Sequence, residues 1–175
     1  MMDKKLPIIG ANTLVSICGR ENVPAKIDTG ADSSSIWVSN LRIDDDGILI
    51  FSLFGKKSPF YNGKVIKRKD FKVAIVRSAT GEEQIRYRTH LLVTIRGKKI
   101  KVLFNLSDRS RNNFPILIGR RSLSGKFLVD VSESEIPHPP KIKRTKPLSE
   151  ELKKNPAEFY KKYSKKGAEK WKLQF

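Results

Sequence analysis

The 175-residue sequence has one cysteine, Cys18, and only two histidines, His90 and His138. A single thiol cannot close an intramolecular disulfide or fill a cysteine-rich zinc site, which points to a cytoplasmic setting. There is no His-Glu-x-x-His pair and no Gly-x-x-x-x-Gly-Lys-Ser/Thr loop, so neither zinc nor ATP is expected as a cofactor. His90, in a strand pattern, and His138, between two prolines, read as structural residues. No apolar run approaches the roughly 18 residues of a membrane span. The N-terminal stretch up to Val23 is interrupted by Pro7, Gly10, Asn12 and Ser16, with no small-residue cleavage pattern behind it. It reads as an opening strand and not as a signal peptide. Cys18 closes the alternating run Leu14–Cys18 and is expected to be a buried structural thiol.

Acidic residues are scarce beside basic ones: 18 against 36, for a net charge of +18. Such a field favours polyanionic partners or simply keeps a surface soluble, and it says nothing about fold. The excess is uneven. Residues 136–175 carry 12 Lys/Arg and 4 Glu, a net of +8, behind the proline-punctuated stretch Ile136–Pro147. The chain therefore divides into a domain over 1–134 and a basic linker and tail over 135–175. Within the tail, Asn155-Pro156-Ala157-Glu158 carries a helix start: a capping Asn, Pro in the first turn and Glu at the capping-box position. Phe159, Tyr160 and Tyr163 would share one side of that helix, with Gly167 as its stop. It can dock on its own domain, on a nucleic acid or on nothing.

The body reads as strands over Leu14–Cys18, Pro24–Ile27, Ile48–Phe54, Phe71–Arg77, Gln84–Ile95, Lys99–Leu106, Ile116–Ile118 and Phe127–Val131. Val, Ile and Phe dominate these, often alternating with polar residues. Tight turns at Ala79–Glu82 and Arg96–Lys98 separate pairs of them. The fold class is all-β, a small closed barrel.

The chemistry concentrates in Ala25-Lys26-Ile27-Asp28-Thr29-Gly30-Ala31-Asp32. An apolar strand delivers a carboxylate, Asp28, into a loop. Gly30 lets the backbone turn and another chain approach. The Thr29 hydroxyl can brace the loop. Asp-Thr-Gly alone also occurs in ordinary turns. A second element, Asn113 to Leu123, lies about 90 residues on: an apolar strand ending in Gly119-Arg120 before a short helix-like segment. The order of strand, Asp-Thr-Gly-Ala-Asp, hairpins and apolar-apolar-Gly-Arg resembles the retroviral aspartic proteases and their cellular relatives. Ala25–Ser35, the hairpin from Val76-Arg77-Ser78 to Arg86-Tyr87, Leu106–Ser110 and Ile118–Asp130 together resemble one bacterial and archaeal family, commonly labelled "ATP-dependent zinc protease" and retropepsin-like. The resemblance spans residues 8 to 132.

That resemblance implies an acid-protease barrel with a short helix at the Gly-Arg motif. It implies an aspartic endopeptidase in which Asp28, Thr29 and Gly30 of two chains meet in a homodimer. Ala31, Asp32, Gly81, Arg77, Arg86, Asp108 and Arg109 would line the substrate groove, Gly81 at the tip of a flap. Asp32 and Arg120 would form a partly buried ion pair. Arginines in the groove would favour acidic peptides or glutamylated protein tails, and association with ATP-grasp glutamate ligases is implied. Two features depart from the retroviral pattern. The flap segment Ser78–Gly81 has one glycine, and Asn40–Asp70 is an added stretch that can cover or block the cleft. The terminal strands of the retroviral dimer are not recognisable. Two other readings stand beside this one: a catalytically silent regulatory module, and a basic ribosome- or nucleic-acid-associated protein. A polyanion contact through the tail is compatible with each.

Overall fold

The computed structural model describes residues 5–77, 83–137, 147–159 and 161–162, with the backbone alone at 76–77 and 147–149. The chain forms two compact units, residues 1–139 and 140–175.

In the first unit, apolar–polar alternation builds strands with one face inward. They are β1 (Ile8–Ile9), β2 (Asn12–Ile17), β3 (Arg20–Asp28), β4 (Ser34–Ile43), β5 (Leu49–Leu53), β6 (Val65–Arg68), β7 (Lys72–Arg77), β8 (Glu83–Ile95), β9 (Lys98–Ser107), β10 (Ile116–Gly119) and β11 (Leu128–Val129), with the single-turn helix α1 (Arg120–Leu123) between the last two. Six of these close on themselves in the order β10-β3-β2-β8-β9-β4, because β10 pairs with β3 on one side and β4 on the other. Closure leaves this ring without a free edge. Val15, Ala25, Ile36, Phe104, Ile116 and Ile118 fill its interior, each at 1 % exposure or less. The expected all-β barrel with a short helix at Gly119-Arg120 is therefore the fold.

Tight connections set the register. Cys18 and Gly19 (φ 49° and 75°) join β2 to β3, and Arg96 and Gly97 (φ 49° and 73°) join β8 to β9. Positive φ at both central residues matches the right-handed twist of a hairpin, and glycine accepts it without strain. The first of these turns corrects the expectation for Cys18. The alternation that suggested burial ends at Ile17, and Cys18 lies exposed in the turn. Crowding there raises its pKa above that of an ordinary thiol, while Arg20, Arg68 and Lys64 oppose the shift.

The stretch between Asn40 and Asp70 is not loose. It carries β4 past the barrel and adds β5 and β6 beside it. All five residues of β5 are buried. Phe54 packs against Trp37 and Phe60, and Arg20 lies over the Phe54 ring while donating to Phe60 O at 3.0 Å. The addition thus enlarges the core. β4 and β6 were missing from the sequence expectation, as was the pairing of β1 with β11, which forms a separate two-stranded parallel sheet within the one chain.

Residues 133–136 are pinned to the start of β2. Ala11 N donates to Glu133 O at 2.8 Å, Ile136 N donates to Asn12 Oδ1 at 2.8 Å, and Thr13 bonds Glu135. In the second unit, α2 (Pro147–Lys154) precedes the Asn155 start. Asn155 caps this start: Glu158 N donates to Asn155 Oδ1 at 3.2 Å, and Asn155 Nδ2 donates to Glu158 Oε2 at 3.0 Å. Tyr160, Tyr163, Gly167 and His138 lie outside the described residues.

Truncating a side chain that several barrel strands share leaves a cavity that the closed ring cannot collapse. Phe104→Ala is expected to cost about 3–5 kcal/mol, read as a lowered urea midpoint with unchanged slope; Lys67→Gln on exposed β6 is expected to stay within about 0.5 kcal/mol.

Candidate active site

β3 and β10 run parallel, with Asp28 in register with Gly119. The loop that follows Asp28 is thereby placed against the start of α1. A Cβ on Gly119 would sit 2.6 Å from the backbone of Ser33 and 2.8 Å from Ala31 O. Nothing larger than glycine fits while the loop keeps its place. Polar contacts then fasten the two segments: Gly119 N donates to Ser34 Oγ at 3.0 Å, Ser34 Oγ lies 2.9 Å from Ser122 Oγ, and Arg120 N donates to Ala31 O at 2.8 Å. Ser34 is 1 % exposed, so its hydroxyl is a buried clasp. Asn105 adds a bond from β9 to Ser34 O at 3.2 Å.

On this platform the Asp28 carboxylate faces partly outward, with 27 % of its side chain exposed. Its Oδ1 accepts from Gly30 N and Ala31 N, both at 3.2 Å, and Lys26 Nζ lies 3.5 Å from Oδ2. Two amides on one oxygen orient the carboxylate. Gly30 does not adopt a left-handed φ, and a Cβ there would meet only Asp28 Oδ1, at 3.4 Å. Within one chain, therefore, no sharp turn explains the glycine. Thr29 is exposed, and among the described residues its side chain has no hydrogen-bond partner. It stands at the rim of an open hollow of about 390 Å³ that includes Arg120, Leu123, Phe127 and Val129.

Arg109 and Arg86 belong to the same electrostatic neighbourhood as Asp28. Burial and the nearby Arg86 lower the pKa of Arg109, and the Asp28 carboxylate opposes them. Arg109 is fixed by bonds from Nε to Phe114 O at 3.2 Å and from Nη1 to Ser35 Oγ at 2.8 Å. Arg86 donates to Gln84 Oε1 at 2.7 Å. Arg77 closes β7 opposite Glu83, the last pair before the chain connects the two strands; Gly81 lies outside the described residues. Asp108 is placed elsewhere. It lines a hollow with Trp37, Leu41, Gly55 and Ser110, and the Ser110 amide at 2.9 Å lowers its pKa.

Arg120 pairs with Asp32, and Arg121 reaches the other carboxylate oxygen at 3.9 Å. The expected partial burial of the Asp32–Arg120 pair is not found: 49 % of Asp32 and 63 % of Arg120 are exposed. Water competes for both charges, so the pair is worth about 0–1 kcal/mol in one chain.

Zinc does not fit. Among the described residues no three His, Cys, Asp or Glu side chains gather to hold a metal. His90 shares its pocket with Arg88, Lys101 and Arg121, whose charges would repel a cation. Among the described residues no helix is long and apolar enough to cross a membrane.

A closed barrel that presents one Asp-Thr-Gly loop against a Gly-Arg helix start is a retropepsin-like aspartic-peptidase domain. The sequence profile described as "Retropepsin-like aspartic endopeptidase RimB" matches residues 8–140. The chain belongs to this RimB-like family. Two proteins named probable alpha-L-glutamate ligase, from Shewanella pealeana and Shewanella halifaxensis, are each 32 % identical over 143 residues, which cover 77 % of this chain and 30 % of theirs. The chain thus corresponds to less than a third of those relatives. A Legionella pneumophila crystal structure of unknown function superposes with a TM-score of 0.57 at 23 % identity, covering 74 % of this chain and 97 % of that one, and shares the fold.

Reading residue types alone missed Ser34, Ser35, Ser122 and Asn105, the bonds that hold the platform. The signal was present as three serines behind Asp32 and one behind Gly-Arg-Arg, but serine runs are common in turns. For Gly119, alanine is expected to shift the loop. Gly119→Ala should lower the urea midpoint by about 1–3 kcal/mol of overpacking strain. Asp32→Asn should cost about 1 kcal/mol or less in the same measurement.

Proposed function

We propose that the chain is an aspartic endopeptidase whose active site is completed by a second copy, and that it acts on acidic or glutamylated protein segments. The observation that carries this reading is the oriented, partly exposed Asp28 carboxylate on the clasped loop. One carboxylate cannot both activate water and protonate the peptide carbonyl. A two-fold axis beside Asp28 would bring a second Asp28 to it. Two carboxyl groups that close share one proton, because both cannot ionise cheaply. The ionised member takes a proton from water as the oxygen attacks the peptide carbonyl. The protonated member gives its proton to the carbonyl oxygen. Collapse of the tetrahedral intermediate breaks the C–N bond, and the amine leaves with a proton from the dyad.

Features of the single chain support a second copy at this face. Among the described residues the Thr29 side chain is exposed without a hydrogen bond and nothing crowds Gly30 except Asp28 Oδ1, and the adjoining hollow is largely apolar. Exposed Ile8 and Leu128 lie in register on the β1–β11 sheet, which leads into Val129 of that hollow. Acidic substrates are supported by Arg109, which senses Asp28 and has Arg86 nearby, and by the ligase names of the relatives. Association with a glutamate ligase is part of the same proposal.

The test joins sedimentation to a mass-spectrometric digest of acidic and mixed peptide libraries at mildly acid and neutral pH. A dimer is expected, with cleavage that Asp28→Asn lowers at least about 1,000-fold, the scale of losing an acid–base group. A stable monomer without Asp28-dependent cleavage would overturn the reading and leave Asp28 as a loop brace in a binding module.

A further inference from the structure

Outside the Asp28 neighbourhood, a second concave site lies on the outer face of the barrel. The inward residues of β8 are Leu91, Val93 and Ile95; Arg88 and His90 alternate with them and point outward. Lys101 and Leu103 do the same on β9, where His90 and Leu103 are in register. Asp32 and Ser33 of the active-site loop and Arg121 and Ser122 of α1 complete a pocket of about 160 Å³.

The charge of this pocket is unbalanced. Arg88, Lys101 and Arg121 face one carboxylate, Asp32, which Arg120 already engages from outside the lining. Arg88 is held by a bond from Nε to Asn105 Oδ1 at 2.6 Å, which leaves its terminal amino groups without a partner among the described residues. Lys101 likewise has no ion pair or hydrogen bond among them. The hydroxyls of Ser33 and Ser122 add donors. Three cations converging on a small concave space in a folded chain repel one another, and an anion relieves that repulsion. The volume is below that of a typical small-molecule site, so it suits the end of a side chain and not a nucleotide.

We propose that this pocket is an anion subsite that takes a side-chain carboxylate of a bound acidic protein segment, one whose backbone runs past Asp32 toward Asp28. The assignment rests on the peptidase reading for what the segment is, and on the pocket alone for where it binds. Occupancy would also tie the segment to the loop that carries the catalytic carboxylate, since Asp32 O accepts from Arg121 N at 3.4 Å.

The experiment measures binding without turnover. Fluorescein-labelled hexaglutamate and hexaglutamine are titrated by anisotropy against the full chain bearing Asp28→Asn. Hexaglutamate is expected to bind and hexaglutamine not to. Adding Lys101→Gln or Arg88→Gln should each weaken hexaglutamate binding about five- to tenfold, the worth of one partly solvated charge-assisted contact. Lys67→Gln, equal in charge change but on β6, should leave it unchanged. Lys101→Gln is the decisive variant because Lys101 supports no other contact, and its thermal unfolding should match the parent. Equal weakening by Lys67→Gln would mean diffuse attraction to the +18 surface and would overturn the proposal, as would pocket variants that bind like the parent. Calorimetric binding of inorganic phosphate, lost in Lys101→Gln, without hexaglutamate binding would also overturn it, in favour of a free oxyanion. Because Asp28 is already replaced, absence of cleavage by the wild type would count against the peptidase reading and not against the pocket.

Discussion

Everything at the site depends on one close approach: Gly119 of β10 lies against the backbone of the loop that follows Asp28. The barrel closes only because β10 enters between β3 and β4. Parallel pairing with β3 places Gly119 beside Asp28, and the missing side chain lets the loop fold over the start of α1. The buried Ser34–Ser122 clasp then holds loop and helix together. The position of Asp28 is thus a by-product of barrel closure. The carboxylate is carried by the end of a core strand and not by a free loop, which is the rigid kind of support that site geometry requires.

The electrostatics are arranged around a scarcity of negative charge. Asp28 has Lys26 beside it and shares its surroundings with Arg109 and Arg86, while Asp32 is held by Arg120 and Arg121. These contacts are half-exposed, so they contribute little to folding. Their weight falls on recognition. A cationic rim around Asp28 raises the local concentration of acidic groups.

Much of the barrel was legible because alternation and turn chemistry are local. The β8–β9 hairpin shows both: buried Leu91 and Val93 lie opposite buried Val102 and Ile100, and Arg96-Gly97 makes the turn. Other features were hidden by tertiary effects. β4 begins in Ser34-Ser35, whose hydroxyls look like turn residues until Gly119 and Arg109 are seen to use them. β6 is short and basic, and it is a strand because β5 pairs with it. Cys18 followed the alternation of β2, yet the chain turns at that residue, so period alone misplaced it. The motif made the Asp32–Arg120 contact legible, but exposure is a property of the surrounding surface and cannot be read from spacing.

The tip of the Asp28 loop differs from the rest of the site. In a self-sufficient domain, Thr29 would be bonded and Gly30 would answer to a backbone demand within the chain. Neither holds here, although the next residues, from Ala31 to Ser35, are fastened on every side. Order therefore stops abruptly at the tip of the loop, beside an apolar hollow. A surface that is rigid up to its edge and unsatisfied beyond it is already organised for a partner, so little entropy remains to be lost there on association.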